Sequence, residues 1–171
     1  MNRNHPYVKL DHAQREIRLL TILNDDDDYL IRCTTRKTSL NNCQNINALS
    51  YCWGDPKVTA PIMVDYHVMS VTVNLEKALR QLRRSAQLGE IWVDAICINQ
   101  ADISEKNHQV PLMRHIYSAS NVFIWLGESD DHTDEFIRIM EKQSDMIAYM
   151  ICLSINLVMK PWWERTWTVQ E

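Results

Sequence analysis

Three groups of residues in this chain have the types and spacing to hold a ligand. The first is Ser50-Tyr51-Cys52-Trp53, at the end of a short apolar run. The second is Asp94, inside the apolar run Ile91 to Ile98, with Asn99 and Gln100 just after it. The third is Pro161-Trp162-Trp163-Glu164-Arg165-Thr166-Trp167-Thr168-Val169-Gln170-Glu171, where three of the six tryptophans fall within six positions. Proline suits the first turn of a helix, where its missing N–H leaves no bond unmade. On that helix Trp163, Trp167 and Glu171 recur every fourth residue, so two rings and a carboxylate share one stripe. Its structural reading is a core helix whose indole N–H groups meet polar neighbours. Its functional reading is an aromatic surface beside a carboxylate.

Asp94 is the sharpest single residue. A carboxylate among apolar neighbours must pair, accept several hydrogen bonds or become protonated. Structurally it is a buried partner of Arg165 or a clamp on nearby loop N–H groups; functionally it orients a ligand. Asn99 and Gln100 either cap the helix that follows or donate amide hydrogen bonds to a ligand. Ser50 has no histidine near it in sequence, which argues against a serine nucleophile. Cys97 lies within an apolar run and reads as an inert core thiol.

These groups need elements to carry them. Ile17 to Leu23 and Tyr29 to Thr35 read as an N-terminal β-hairpin around a turn at Asp25 to Asp28. Ala48 to Trp53 is a short strand stopped by Gly54-Asp55-Pro56, and Ile62 to Val64 with Val68 to Val73 reads as an additional hairpin. Asn74 is placed to cap a helix whose Leu75, Ala78, Leu79 and Leu82 follow the i, i+3, i+4, i+7 pattern. Ile91 to Ile98 and Asn121 to Leu126 are nearly continuous apolar runs, the mark of neighbouring strands buried on both faces of a parallel sheet. Between them Asp102 and Glu105 resemble a capping box for a helix through about Ala119, which Pro111 must kink or restart. A further helix runs from about Thr133, with Phe136, Ile139, Met140, Gln143, Ile147 and Met150 on one face. This order predicts an α/β fold, a mainly parallel sheet flanked by helices. In such a sheet ligands bind beyond the carboxyl ends of the strands, where the three groups emerge.

Composition narrows the function. The chain has 171 residues, long enough for one domain with a real core, and a net charge of −4. A nucleic-acid binder is expected to show a basic face, so nucleic acid is not an expected partner. With only three glycines, neither a dinucleotide fingerprint nor a phosphate loop is present. The five cysteines form no CxxC pair and the histidines are dispersed, which predicts no zinc site and a reduced, cytoplasmic setting. Met146 to Met159 is the most apolar stretch, but it falls short of the ~20 residues needed to span a bilayer. It reads as a buried helix, so no transmembrane segment is expected.

The segments Ala48-Leu49-Ser50-Tyr51-Cys52-Trp53-Gly54-Asp55, Ile91-Trp92-Val93-Asp94-Ala95-Ile96-Cys97-Ile98-Asn99-Gln100 and Pro161 to Glu171 resemble the three signature blocks of the fungal heterokaryon incompatibility (HET) domain. Glu105-Lys106, Met113, Ile116-Tyr117, Ala119 and Trp125-Leu126-Gly127 fit in order and spacing. Ile46 departs from the aromatic usual there, and Pro111 interrupts a helix that is usually continuous. The resemblance implies an arm over residues 1–16 and a HET-like domain over residues 17–171, truncated at its C-terminal end. It implies non-self recognition and programmed cell death, with other death-signalling proteins or self-association as partners. The layout is also similar to the TIR (Toll/interleukin-1 receptor) fold, some members of which cleave NAD. Trp167-Thr168-Val169-Gln170-Glu171 resembles the TIR helix that carries the catalytic glutamate, which implies Glu171 as catalytic carboxylate. NAD is then the substrate, a dinucleotide partner, and no cofactor or metal is required. Ser50, Tyr51, Trp53, Asp94, Asn99, Gln100, Trp163, Arg165 and Trp167 would form the ligand-binding set.

Overall fold

The structure is a computed structural model; it describes residues 7–24, 29–43, 46–84, 89–125 and 127. The expected turn at Asp25 to Asp28, the helix from Thr133 and the Trp-rich terminal helix lie outside the described residues. Seven strands form one sheet: β1 (Glu16–Ile22), β2 (Arg32–Ser39), β3 (Ile46–Tyr51), β4 (Thr59–Val64), β5 (His67–Thr72), β6 (Ile91–Trp92) and β7 (Ser120–Trp125). Their spatial order is β5-β4-β2-β1-β6-β3-β7. Four helices accompany them: α1 (Val73–Arg84), α2 (Asp94–Cys97), α3 (Ile103–Gln109) and α4 (Met113–Ser118).

The α/β class is as expected, but the sheet is mixed rather than mainly parallel. β1 runs antiparallel to β2 and β6, and β4 antiparallel to β5. β3 runs parallel to β6 and β7, and β2 parallel to β4. The cause is the two hairpins, whose short connections can only join antiparallel strands. Both hairpins lie where the sequence reading places them, although β2 starts at Arg32 rather than Tyr29 and β5 ends at Thr72, with Val73 opening α1. The β4–β5 turn is Asp65-Tyr66, both with positive φ (48° and 65°), the backbone of a mirror-image hairpin turn without glycine.

A second correction concerns Ile91 to Ile98. Only Ile91 and Trp92 are strand; the chain then turns into the four-residue helix α2. The run is buried throughout except Ala95, so its hydrophobicity reports burial and not extension. β7 is not the neighbour of this strand, because β3 lies between them. β7 is also not buried: Val122, Phe123 and Ile124 are 40%, 36% and 52% exposed, and among the described residues β7 pairs on one side only.

The core gathers Ile17, Leu19, Leu20, Ile62, Leu75, Leu79, Ile91, Trp92 and Ile96. β1 sits mid-sheet and carries one buried charge, Arg18, only 2% exposed. Its guanidinium forms a two-pronged ion pair with Glu105 (2.5 and 3.0 Å) and donates to the carbonyls of Cys97 (2.9 Å) and Val8 (2.7 Å). The Tyr7 ring lies 4.8 Å from it. One strand residue therefore ties the N-terminal segment, α2 and α3 to the sheet. Gln109 adds a second tie, its side-chain amide donating to the Glu16 carbonyl (2.8 Å).

Pro111 acts as expected. α3 ends at Gln109, a 3-10 turn covers Val110–Leu112, and α4 restarts at Met113. The Asp102 side chain caps α3 by accepting from the Glu105 N–H (3.0 Å). The reciprocal half of the capping box is absent, because Glu105 is committed to Arg18 and to the Asn99 N–H (2.7 Å). Asn74 is not the cap of α1, which starts one residue before it; Thr72 Oγ1 accepts from the Leu75 N–H instead (3.4 Å).

Candidate functional site

The β3–β6 register pairs Asn47 with Ile91 and Ala48 with Trp92. Parallel strands in that register end at the same edge of the sheet, so Trp53 beyond β3 and Asp94 beyond β6 meet. The Trp53 indole N–H donates to Asp94 Oδ2 at 3.0 Å, and Asp94 Oδ1 accepts from the Ala95 N–H at 2.7 Å. Asp94 is 3% exposed and opens α2, where a carboxylate complements unpaired helix N–H groups. Its expected setting in mid-strand is thus replaced by a helix start. The expected partner Arg165 lies outside the described residues.

Trp53 and Asp94 line a cleft of about 470 Å³, together with Ile98, Gln100, Lys106, Val110, Pro111, Met113, Arg114 and Tyr117. Such a volume suits a small organic ligand. Gln100 is held by its side-chain amide, which donates to the Asp94 carbonyl (3.0 Å). Tyr117 closes the inner side: its hydroxyl donates to the Leu49 carbonyl on β3 (3.2 Å), and its ring meets Trp92 edge-on at 5.6 Å. α3, the 3-10 turn at Pro111 and α4 together carry Lys106, Val110, Met113, Arg114 and Tyr117 past the cleft as one wall.

The sequence-derived set is divided by the structure. Trp53, Asp94 and Gln100 come together in the cleft wall. Ser50 and Tyr51 are buried in β3, 0% and 1% exposed, and are not part of that wall. Asn99 serves the backbone, its side chain accepting from the Ala101 N–H (3.1 Å). Trp163, Arg165, Trp167 and Glu171 lie outside the described residues. Cys97 is fully buried with its thiol pushed up to about 12, chiefly by burial, so it stays protonated at neutral pH. Among the described residues no group of three His, Cys, Asp or Glu could hold a metal ion.

Several residues that build the site escaped sequence reasoning. Asn74 bridges the ends of two strands: its amide donates to the Cys52 carbonyl (2.5 Å) and accepts from the Trp125 indole N–H (2.9 Å). It stands at the start of a helix pattern, where capping was the simpler explanation. Arg18 carried a signal equivalent to that of Asp94, a lone charge in an apolar strand. Lys106 and Arg114 carried none, being ordinary helix-surface cations by sequence.

A family model described as "Heterokaryon incompatibility protein (HET)" matches residues 47–171. The chain is 30% identical, over 224 residues, to "Heterokaryon incompatibility protein 6, OR allele" of Neurospora crassa, an alignment that takes in 96% of this chain and 32% of the relative. The chain thus spans about a third of the length of that curated relative. No solved structure matches it.

Proposed function

This chain belongs to the heterokaryon incompatibility (HET) family, and on that premise we propose that it is a cytoplasmic non-self-recognition module that signals programmed cell death by associating with itself or with other death-signalling proteins. The observation that carries this reading is β7. Its sequence, Ser120-Asn121-Val122-Phe123-Ile124-Trp125, has no charge and no proline, and three consecutive apolar residues are exposed along it. Among the described residues β7 has a strand partner on one side only, and such edges normally carry a lysine, a proline or a bulge to block pairing with another chain. Among the described residues no helix is long and apolar enough to cross a membrane.

Phe123→Lys places such a guard on β7. The expected result is an association constant lowered by about tenfold or more in sedimentation, with killing reduced on expression and the melting temperature nearly unchanged. Full killing by a variant that is monomeric at every concentration would sink the association reading.

The cleft favours a second reading, an NAD glycohydrolase with a TIR-like layout. It opens beyond the carboxyl ends of β3 and β6, with a carboxylate fixed in its wall. Breaking the bond to nicotinamide builds positive charge on the ribose, which a facing carboxylate stabilises. Glu171 is the proposed catalytic carboxylate, with Trp163 and Trp167 to stack the base. Purified protein incubated with NAD should release nicotinamide, and Glu171→Gln should abolish the release without unfolding the domain. Release that persists in Glu171→Gln removes Glu171 from the chemistry; no release from the parent chain removes the enzyme reading.

A further inference from the structure

The cleft wall carries groups of opposite charge. The Asp94 carboxylate is already held by the Trp53 indole and the Ala95 N–H, with a wall polar group, Gln100, on the Asp94 carbonyl. The helical part of the wall contributes Lys106 and Arg114. Among the described residues neither cation has a carboxylate within ion-pair distance, whereas Arg18, Arg36, Lys37 and Arg80 each pair with a glutamate. The chain is acidic overall, with 22 Asp and Glu against 18 Lys and Arg, so two cations on the wall of one cleft go against its composition. The rest of the lining is apolar: Ile98, Val110, Pro111, Met113 and the Tyr117 ring.

We propose that the cleft binds a small organic phosphate of about the size of a nucleoside monophosphate, with the phosphate on Lys106 and Arg114, a flat apolar body against Pro111, Met113 and Tyr117, and hydroxyl groups donating to Asp94. Arg supplies two parallel N–H donors to phosphate oxygens and Lys a mobile point charge, a combination suited to that group. The carboxylate accepts from hydroxyls and repels a second anion, so it orients the ligand. The inference rests on the ligand-binding reading of the cleft, and it requires neither catalysis nor Glu171.

The test is calorimetric titration of the full 171-residue chain with adenosine monophosphate, adenosine and inorganic phosphate at low and high salt. Adenosine monophosphate should bind at least about tenfold more tightly than either of its parts, and more weakly at high salt. Lys106→Ala and Arg114→Ala should each weaken it by about tenfold, bring its affinity toward that of adenosine, and leave the ligand-free melting temperature in place. Adenosine binding as well as its phosphate, inorganic phosphate binding as well as the nucleotide, unchanged affinity in both variants, or no binding by any probe each overturns the proposal. A chain that binds in this phosphate-dependent way yet releases no nicotinamide from NAD keeps the inference and loses the glycohydrolase reading.

Discussion

Glu105→Ala is expected to destabilise the domain by about 3–5 kcal/mol, because it leaves the Arg18 guanidinium buried without its counter-charge. Both side chains are nearly sealed from water, 2% and 5% exposed. The remaining Arg18 partners, the Cys97 and Val8 carbonyls, are dipoles and cannot replace a full negative charge. The Asn99 N–H loses its acceptor in the same step. With a urea slope of roughly 1–3 kcal/mol per molar, the unfolding midpoint should fall by about 1 M or more. Glu105→Ala with Arg18→Met should recover much of the loss, since an apolar side chain of similar length removes the stranded charge and keeps its packing. A single variant with the parent midpoint would show that water reaches the pair.

Trp92→Ala is expected to cost about 3–5 kcal/mol through the cavity left in a core that cannot collapse onto it. Trp92 is 0% exposed, and β6 holds it between β1 and β3. At this chain length the melting temperature should drop by roughly 10 °C or more. Trp92→Phe should cost clearly less. The indole N–H has no hydrogen-bond partner among the described residues, so no bond is lost, and a phenyl ring can keep the edge contact with Tyr117. If the phenylalanine variant proves as unstable as alanine, the indole N–H has a hydrogen-bond partner outside the described residues. Since Tyr117 lines the cleft, the alanine variant should also blunt ligand binding there.

Local signals were the most legible. Both hairpins, the face of α1 carrying Leu75, Ala78 and Leu79, the Asp102 cap and the interruption at Pro111 followed from spacing and turn chemistry over a few residues. Pairing across the sheet was not legible. An apolar run states that a segment is covered, and Ile91 to Ile98 is covered both as strand and as a helical turn. The position of β3 between β6 and β7 depends on where the chain crosses over, which no short window encodes. In the site, Trp53, Asp94 and Gln100 were legible because a carboxylate in apolar surroundings must be explained. Lys106 and Arg114 were not, since exposed helix cations are common and only the fold reveals that these two share a cleft wall.

The place of β3 also has a consequence in time. β6 pairs with two of its residues, Asn47 and Ala48, whereas β7 pairs with all six, beginning at Ser120. At synthesis rates of about 5–20 residues per second, β3 leaves the ribosome roughly 4–15 s before β7 exists. During that interval Ile46, Ala48, Leu49 and Tyr51, all buried in the finished sheet, have at most the two residues of β6 to meet, whereas β1 and β2 can close on each other at once. The chain is born with a finished hairpin and an unclaimed apolar strand, so its yield in a cell depends on what shields that strand until β7 arrives.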